Sequence, residues 1–163
     1  MSKLRLLLWR DCIRSCKHCP NLRLEDPPQL NVGELEEYDE IILTGGEPLM
    51  YPRALDAVLH QVNCRRKETS NLFLYTAMPS PVDAFINAVD QVDGVTLTVY
   101  NSKRMRDVWV AMARMKDAEF AKTNRLITFK DVKVPDWIEG WEHKVKEYLE
   151  NCPLPVDEDF RRW

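Results

Sequence analysis

Apolar residues recur along the chain in two alternating rhythms. Residues 4–9, 39–44, 72–76, 95–100 and 126–129 are short runs rich in β-branched and aromatic side chains, which predicts strands. Between them the spacing changes to i, i+3, i+4, i+7, first at Leu55, Val58, Leu59 and Val62 and then at Val82, Phe85, Ile86 and Val89. Met105, Trp109, Met112 and Met115 form a third helical stripe. Ile138, Trp141, Val145 and Leu149 form a fourth, which predicts a helical tail over about residues 136–163. Pro52 and Pro81 stand near two helix starts, where a missing N–H costs little. Residues 30–38 leave room for only a short first helix.

Repeated βα units predict an α/β fold with a mainly parallel sheet and right-handed crossovers. Five or six strands are too few for a closed eight-stranded barrel, so the expected architecture is an open partial (βα) barrel. The 163 residues, 45% of them hydrophobic, suit one domain, residues 1–163, with a real core. No repeat or linker divides it, and Asp26-Pro27-Pro28 is a loop within the first unit.

A net charge of −3 gives no global field to attract nucleic acid or an anionic membrane. The basic clusters Arg65-Arg66-Lys67, Lys103-Arg104 and Arg161-Arg162 read as solvated helix ends and tail. No apolar stretch approaches a membrane span, and residues 1–5 do not resemble a secretory signal. The cysteine number is odd and three cysteines crowd together, which points to a reducing cytoplasmic setting.

Those three are Cys12, Cys16 and Cys19, directly behind the first strand in a loop spanning about residues 10–21. Ligand sites in parallel sheets form at the carboxyl ends of strands. Three thiolates can hold three irons of a four-iron cluster and leave the fourth open. With His18 they could instead form a Cys₃His zinc site, although neighbours such as His18 and Cys19 rarely both reach one tetrahedral metal. Cys64 and Cys152 read as free thiols. Behind the second strand comes Gly45-Gly46-Glu47-Pro48. Two glycines there make a tight turn, or let a ligand approach the backbone, where carbonyls and the Glu47 carboxylate could hold an ammonium group and Pro48 redirects the chain.

Cys12-x-x-x-Cys16-x-x-Cys19 followed by Gly45-Gly46-Glu47-Pro48 resembles the radical S-adenosylmethionine (SAM) superfamily. The resemblance covers the first fifty residues closely and the later βα order loosely. It implies a [4Fe–4S] cluster on Cys12, Cys16 and Cys19, with SAM chelating the open iron. It also implies reductive cleavage of SAM to methionine and a 5′-deoxyadenosyl radical, which takes hydrogen from a substrate. Gly45, Gly46, Glu47 and Pro48 would then line the methionine subsite, and His18 would lie near the adenine. Thr76, Thr98 and Asn101 occupy strand ends where such enzymes contact SAM. An electron donor such as flavodoxin or ferredoxin is implied. The glycine-rich adenine motif common in that family is not evident near residues 126–129. Short length and Cys19-Pro20-Asn21 resemble activases of glycyl-radical enzymes, which makes such an enzyme the expected partner. A small-molecule enzyme resembling the carboxy-deazaguanine synthases is the alternative, and a non-catalytic iron–sulfur or zinc module is a third.

Overall fold

The five strand-length runs all pair, and two further strands extend the sheet at its edges. The structure, a computed structural model, describes residues 2–14, 19, 25–100, 105–117, 122–147 and 155–163. In chain order the strands are β1 (Lys3–Leu7), β2 (Glu40–Thr44), β3 (Asn71–Thr76), β4 (Gly94–Val99), β5 (Thr123–Phe129), β6 (Trp141–Lys146) and β7 (Asp159–Arg162). They form one sheet in the order β6-β5-β4-β3-β2-β1-β7. Every neighbouring pair is parallel and the sheet does not close. The fold is therefore an open parallel α/β sheet. The seven strands among the described residues exceed the five or six expected.

The helices follow the predicted stripes. α1 (Pro52–Arg65) begins with its proline at the first position and buries Leu55, Val58, Leu59 and Val62. α2 (Val82–Asp90) starts directly after Pro81 and buries Phe85, Ala88 and Val89. α3 (Met105–Asp117) buries Val108, Ala111, Met112 and Met115. The short first helix is a 3₁₀ helix, Val32–Glu37, capped by Asn31, whose side chain accepts from the Gly33 N–H. All three α-helices share one core with Leu4, Leu6, Ile41, Leu43, Leu72, Leu74, Val95, Leu97 and Leu126, which is one face of the alternating strands. No helix among the described residues is long and apolar enough to cross a membrane.

The predicted helical tail is instead β6 and β7, with Leu149 outside the described residues. Trp141 and Val145 are four apart, a spacing that falls on one face in a helix and also in a strand. Sheet pairing decides between the two, because β5 offers an edge and β6 runs along it for six residues, from Asn124↔Trp141 to Phe129↔Lys146. Gly140, at φ +85°, turns the chain into β6 in a conformation that a helix could not continue. Lys144 and Lys146 then leave that edge charged, as befits an outer strand.

β7 is tied down by polar contacts. The Arg5 guanidinium donates to both Glu158 oxygens at 2.5 and 3.1 Å, and the Tyr38 hydroxyl donates to Asp159 at 2.5 Å. Burial and that aspartate push the Tyr38 phenol up to about 12. The Trp163 N–H donates to the Leu7 carbonyl, and the Leu30 N–H covers the far side through the Arg162 carbonyl.

The second face of the sheet has no helix among the described residues. Arg5 lies over the rings of Tyr75 and Phe160, and Arg125 lies over Phe73 at 4.7 Å. Phe73 in turn lies across Gly94, so near that a Cβ there would meet its ring at 2.6 Å and the Thr123 carbonyl at 2.3 Å. Glycine is required at this point by the ring above it. Gly94→Ala is expected to destabilise the protein by about 1–3 kcal/mol, the usual cost of overpacking. Gly33→Ala, where an added Cβ meets only the Asn31 side chain at 3.6 Å, should be near neutral. Urea unfolding of the two variants checks this, and equal midpoints would contradict it.

Candidate functional site at the carboxyl edge of the sheet

The cysteine loop and the glycine turn are joined by their backbones. Parallel pairing of β1 and β2 continues past both strands: the Leu8 N–H donates to the Thr44 carbonyl at 2.9 Å, the Gly46 N–H to Trp9 at 2.6 Å, and the Glu47 N–H to Asp11 at 2.9 Å. The glycines make this approach possible. Gly45 has φ +137°, and a Cβ on it would lie 2.6 Å from the Trp9 carbonyl oxygen. A Cβ on Gly46 would lie 2.0 Å from the Asp11 carbonyl oxygen. The missing side chains thus serve the contact between two protein backbones, a reason that the motif alone did not reveal.

Glu47 is 1% exposed, and its carboxylate is bonded inside the protein. It accepts from the Thr76 hydroxyl at 2.5 Å, the Ala77 N–H at 3.0 Å and the Leu49 N–H at 3.3 Å, the last as cap of the 3₁₀ turn Pro48–Met50. It was expected to present its carboxylate to a ligand cation. It spans the exits of β2 and β3 instead, because three donors outweigh exposure to solvent. Burial pushes its carboxyl above the usual range, opposed by those donors and by the charge of Arg14. Pro48 is likewise buried.

Thr76 is buried on Glu47 and accepts from the Met78 N–H at 3.1 Å, so its hydroxyl is committed to the protein. Thr98, on β4, is half-buried on the helix-free face. Cys12 is an exposed free thiol and Cys19 a half-buried one. The Arg14 N–H donates to the Cys12 sulfur at 3.3 Å. Cys16, His18 and Asn101 lie outside the described residues, as does Cys152. Among the described residues no group of three side chains suited to a metal is assembled, and Cys16 is not among those. Two free thiols on the loop behind β1 are the donor type that an iron–sulfur cluster takes.

Several site residues were not singled out from the sequence. The Trp9 indole donates to the Glu47 carbonyl at 2.8 Å and meets Tyr51 edge-on at 5.4 Å. The Tyr51 hydroxyl donates to Asp11 at 2.6 Å, and that acceptor raises its pKa. An exposed Arg10–Asp26 ion pair at 2.5 Å clips the base of the loop, a contact worth at most about 1 kcal/mol. Arg14 lies over Tyr100, just past β4, which stacks on Phe129 at the end of β5 with centroids 5.1 Å apart. For Trp9, Tyr100 and Phe129 the sequence signal was position alone, at or just past a strand end.

No protein-family model, no characterised protein and no solved structure matches this chain.

Gly46→Ala should drive the two loops apart, lowering stability by about 1–3 kcal/mol in urea unfolding. Unchanged stability would contradict the backbone contact. Glu47 makes a second prediction. Its folded pKa is raised, so the native state holds a proton that the unfolded chain has lost just above the ordinary glutamate value. Stability should therefore fall as pH rises upward from about 4.5, and Glu47→Gln should flatten that slope. Urea unfolding at stepped pH measures both, and an unaltered slope in the variant would refute the assignment.

Proposed function

We propose that this chain is a radical SAM enzyme. The observation that carries the reading is the backbone contact between the Cys12 loop and the Gly45-Gly46-Glu47 turn at the carboxyl edge of a parallel sheet. Two motifs far apart in sequence become one surface, at the edge where such sheets hold ligands. The chemistry that a bound [4Fe–4S] cluster and SAM supply is reductive cleavage to a 5′-deoxyadenosyl radical, which takes a hydrogen atom from the substrate.

The residues of the chain contribute positioning. Cys12, Cys16 and Cys19 hold the metal, and Glu47 fixes the β2 exit against β3 through Thr76 and Ala77. Gly45 and Gly46 set the distance between the methionine subsite and the cysteine loop. A reducing cytoplasm and a flavodoxin or ferredoxin donor complete the proposal. The substrate approaches the face that lacks a helix among the described residues. The glycine loop of a glycyl-radical enzyme fits such an open approach. A small molecule is the second reading, favoured by the cationic Arg14 beside the aromatic pair Tyr100 and Phe129.

Anaerobic reconstitution with iron and sulfide, followed by SAM and dithionite, tests the activity. Wild type should show cluster absorbance and release 5′-deoxyadenosine, Cys12→Ala should lose both, and Cys64→Ala should keep both. A triple Cys12, Cys16, Cys19→Ala variant with a full cluster, or a wild type with a cluster but no 5′-deoxyadenosine, would overturn the proposal. A glycyl doublet in the electron paramagnetic resonance spectrum of a partner protein would identify the activase form.

A further inference from the structure

Three arginines border the helix-free side of the sheet, and their charges are met differently. Arg5 is held by both oxygens of Glu158 and lies over two rings. Arg125 lies over Phe73 and has Glu142 at 3.4 Å. Arg14 lies over Tyr100 with its guanidinium carbon 5.8 Å from the ring centroid. Its Nε is enclosed and has no hydrogen-bond partner, and no ion pair joins the group among the described residues. Glu47 feels its charge, but the carboxylate oxygens there are occupied by Thr76, Ala77 and Leu49.

A guanidinium beside a ring face keeps its planar N–H fork for a further acceptor. That fork matches the two oxygens of a carboxylate. Arg14 also sits two residues from Cys12, beside the thiols proposed to carry the metal. We propose that Arg14, on the Tyr100–Phe129 pair, is the anchor for a carboxylate carried by the substrate. Tyr100 and Phe129 beside that guanidinium suit an organic acid with an apolar body, which inorganic phosphate lacks. The inference rests on the radical SAM reading for what is done to the bound molecule. It deepens the second, small-molecule form of that reading by naming the substrate class as a carboxylic acid.

The test uses the reconstituted protein with benzoate as probe, benzamide as its uncharged isostere and inorganic phosphate as the contrast anion, each followed by titration calorimetry. Benzoate should bind at least about tenfold more tightly than benzamide or phosphate, roughly the discrimination of one charge-assisted contact. Arg14→Gln should erase the preference, and Arg14→Lys, which keeps charge but loses the fork, should retain only part of it. Circular dichroism and cluster absorbance confirm that both variants are folded and loaded. Equal binding of the three probes, tighter phosphate than benzoate, or an unchanged preference in Arg14→Gln would overturn the proposal. Saturating SAM should leave the benzoate affinity within about twofold. Competition between them would assign Arg14 to the cofactor's own carboxylate and also overturn it. Failure of the enzyme reading is separate, since it appears as absent 5′-deoxyadenosine in wild type whatever the probes do.

Discussion

Two backbones that meet with no side chain between them govern the carboxyl edge of this sheet. Residues 45–46 lie against residues 8–11, and a methyl group at Gly46 would overlap the Asp11 carbonyl. The contact carries β1–β2 pairing past the strands and into the loops that hold Cys12 and Gly45-Gly46. Glu47 then extends the connection to a third strand. Its buried carboxylate collects a hydroxyl and two N–H groups, and its carbonyl receives the Trp9 indole. A rigid platform follows from full satisfaction of a buried charge, because moving any one partner would leave an acceptor unmet in a dry environment.

The helix-free face is organised by cations on rings. Arg5 and Arg125 lie in the strands themselves, each over an aromatic side chain and near a carboxylate. Their packing covers apolar surface that would otherwise need a further helix, as Phe73 at 5% exposure demonstrates. Arg14 stands beyond the carboxyl ends and lacks such a carboxylate partner among the described residues. Positive charge is thus ion-paired within the sheet, whereas at its edge Arg14 acts on the buried Glu47 without an ion pair among the described residues.

Much of the sheet was legible because β2 and β3, near its middle, are apolar on both faces. Residues 40–44 and 72–76 therefore announce themselves as continuous hydrophobic runs. The helical stripes at 55–62 and 82–89 were equally clear, since each faces a single core. Edge strands carry no such signal. β6 has five exposed residues out of six, and β7 is Asp-Phe-Arg-Arg. Both form because a neighbouring strand offers unpaired backbone groups, a cause that local sequence does not contain. The site was legible in its placement and not in its contacts. Cysteines behind β1 and glycines behind β2 could be assigned to one edge. That Glu47 would turn inward to Thr76, and that the glycines would accommodate Asp11 and Trp9, depends on distances between strands that spacing does not encode.

The ties of β7 to β1 also bear on the order of assembly. Arg5 and Glu158 are 153 residues apart in sequence, yet they clamp adjacent strands. A nascent chain presents β1, and the cysteine loop behind it, long before the strand that covers its outer edge exists. Until β7 arrives, β1 keeps one row of backbone groups unpaired, and closing so large a loop is slow relative to forming the βα units between them. The Cys12 thiol therefore passes through a period beside an unfinished edge. In a cell, the lag before that strand closes would bear on the yield of folded protein as much as the stability of the finished fold.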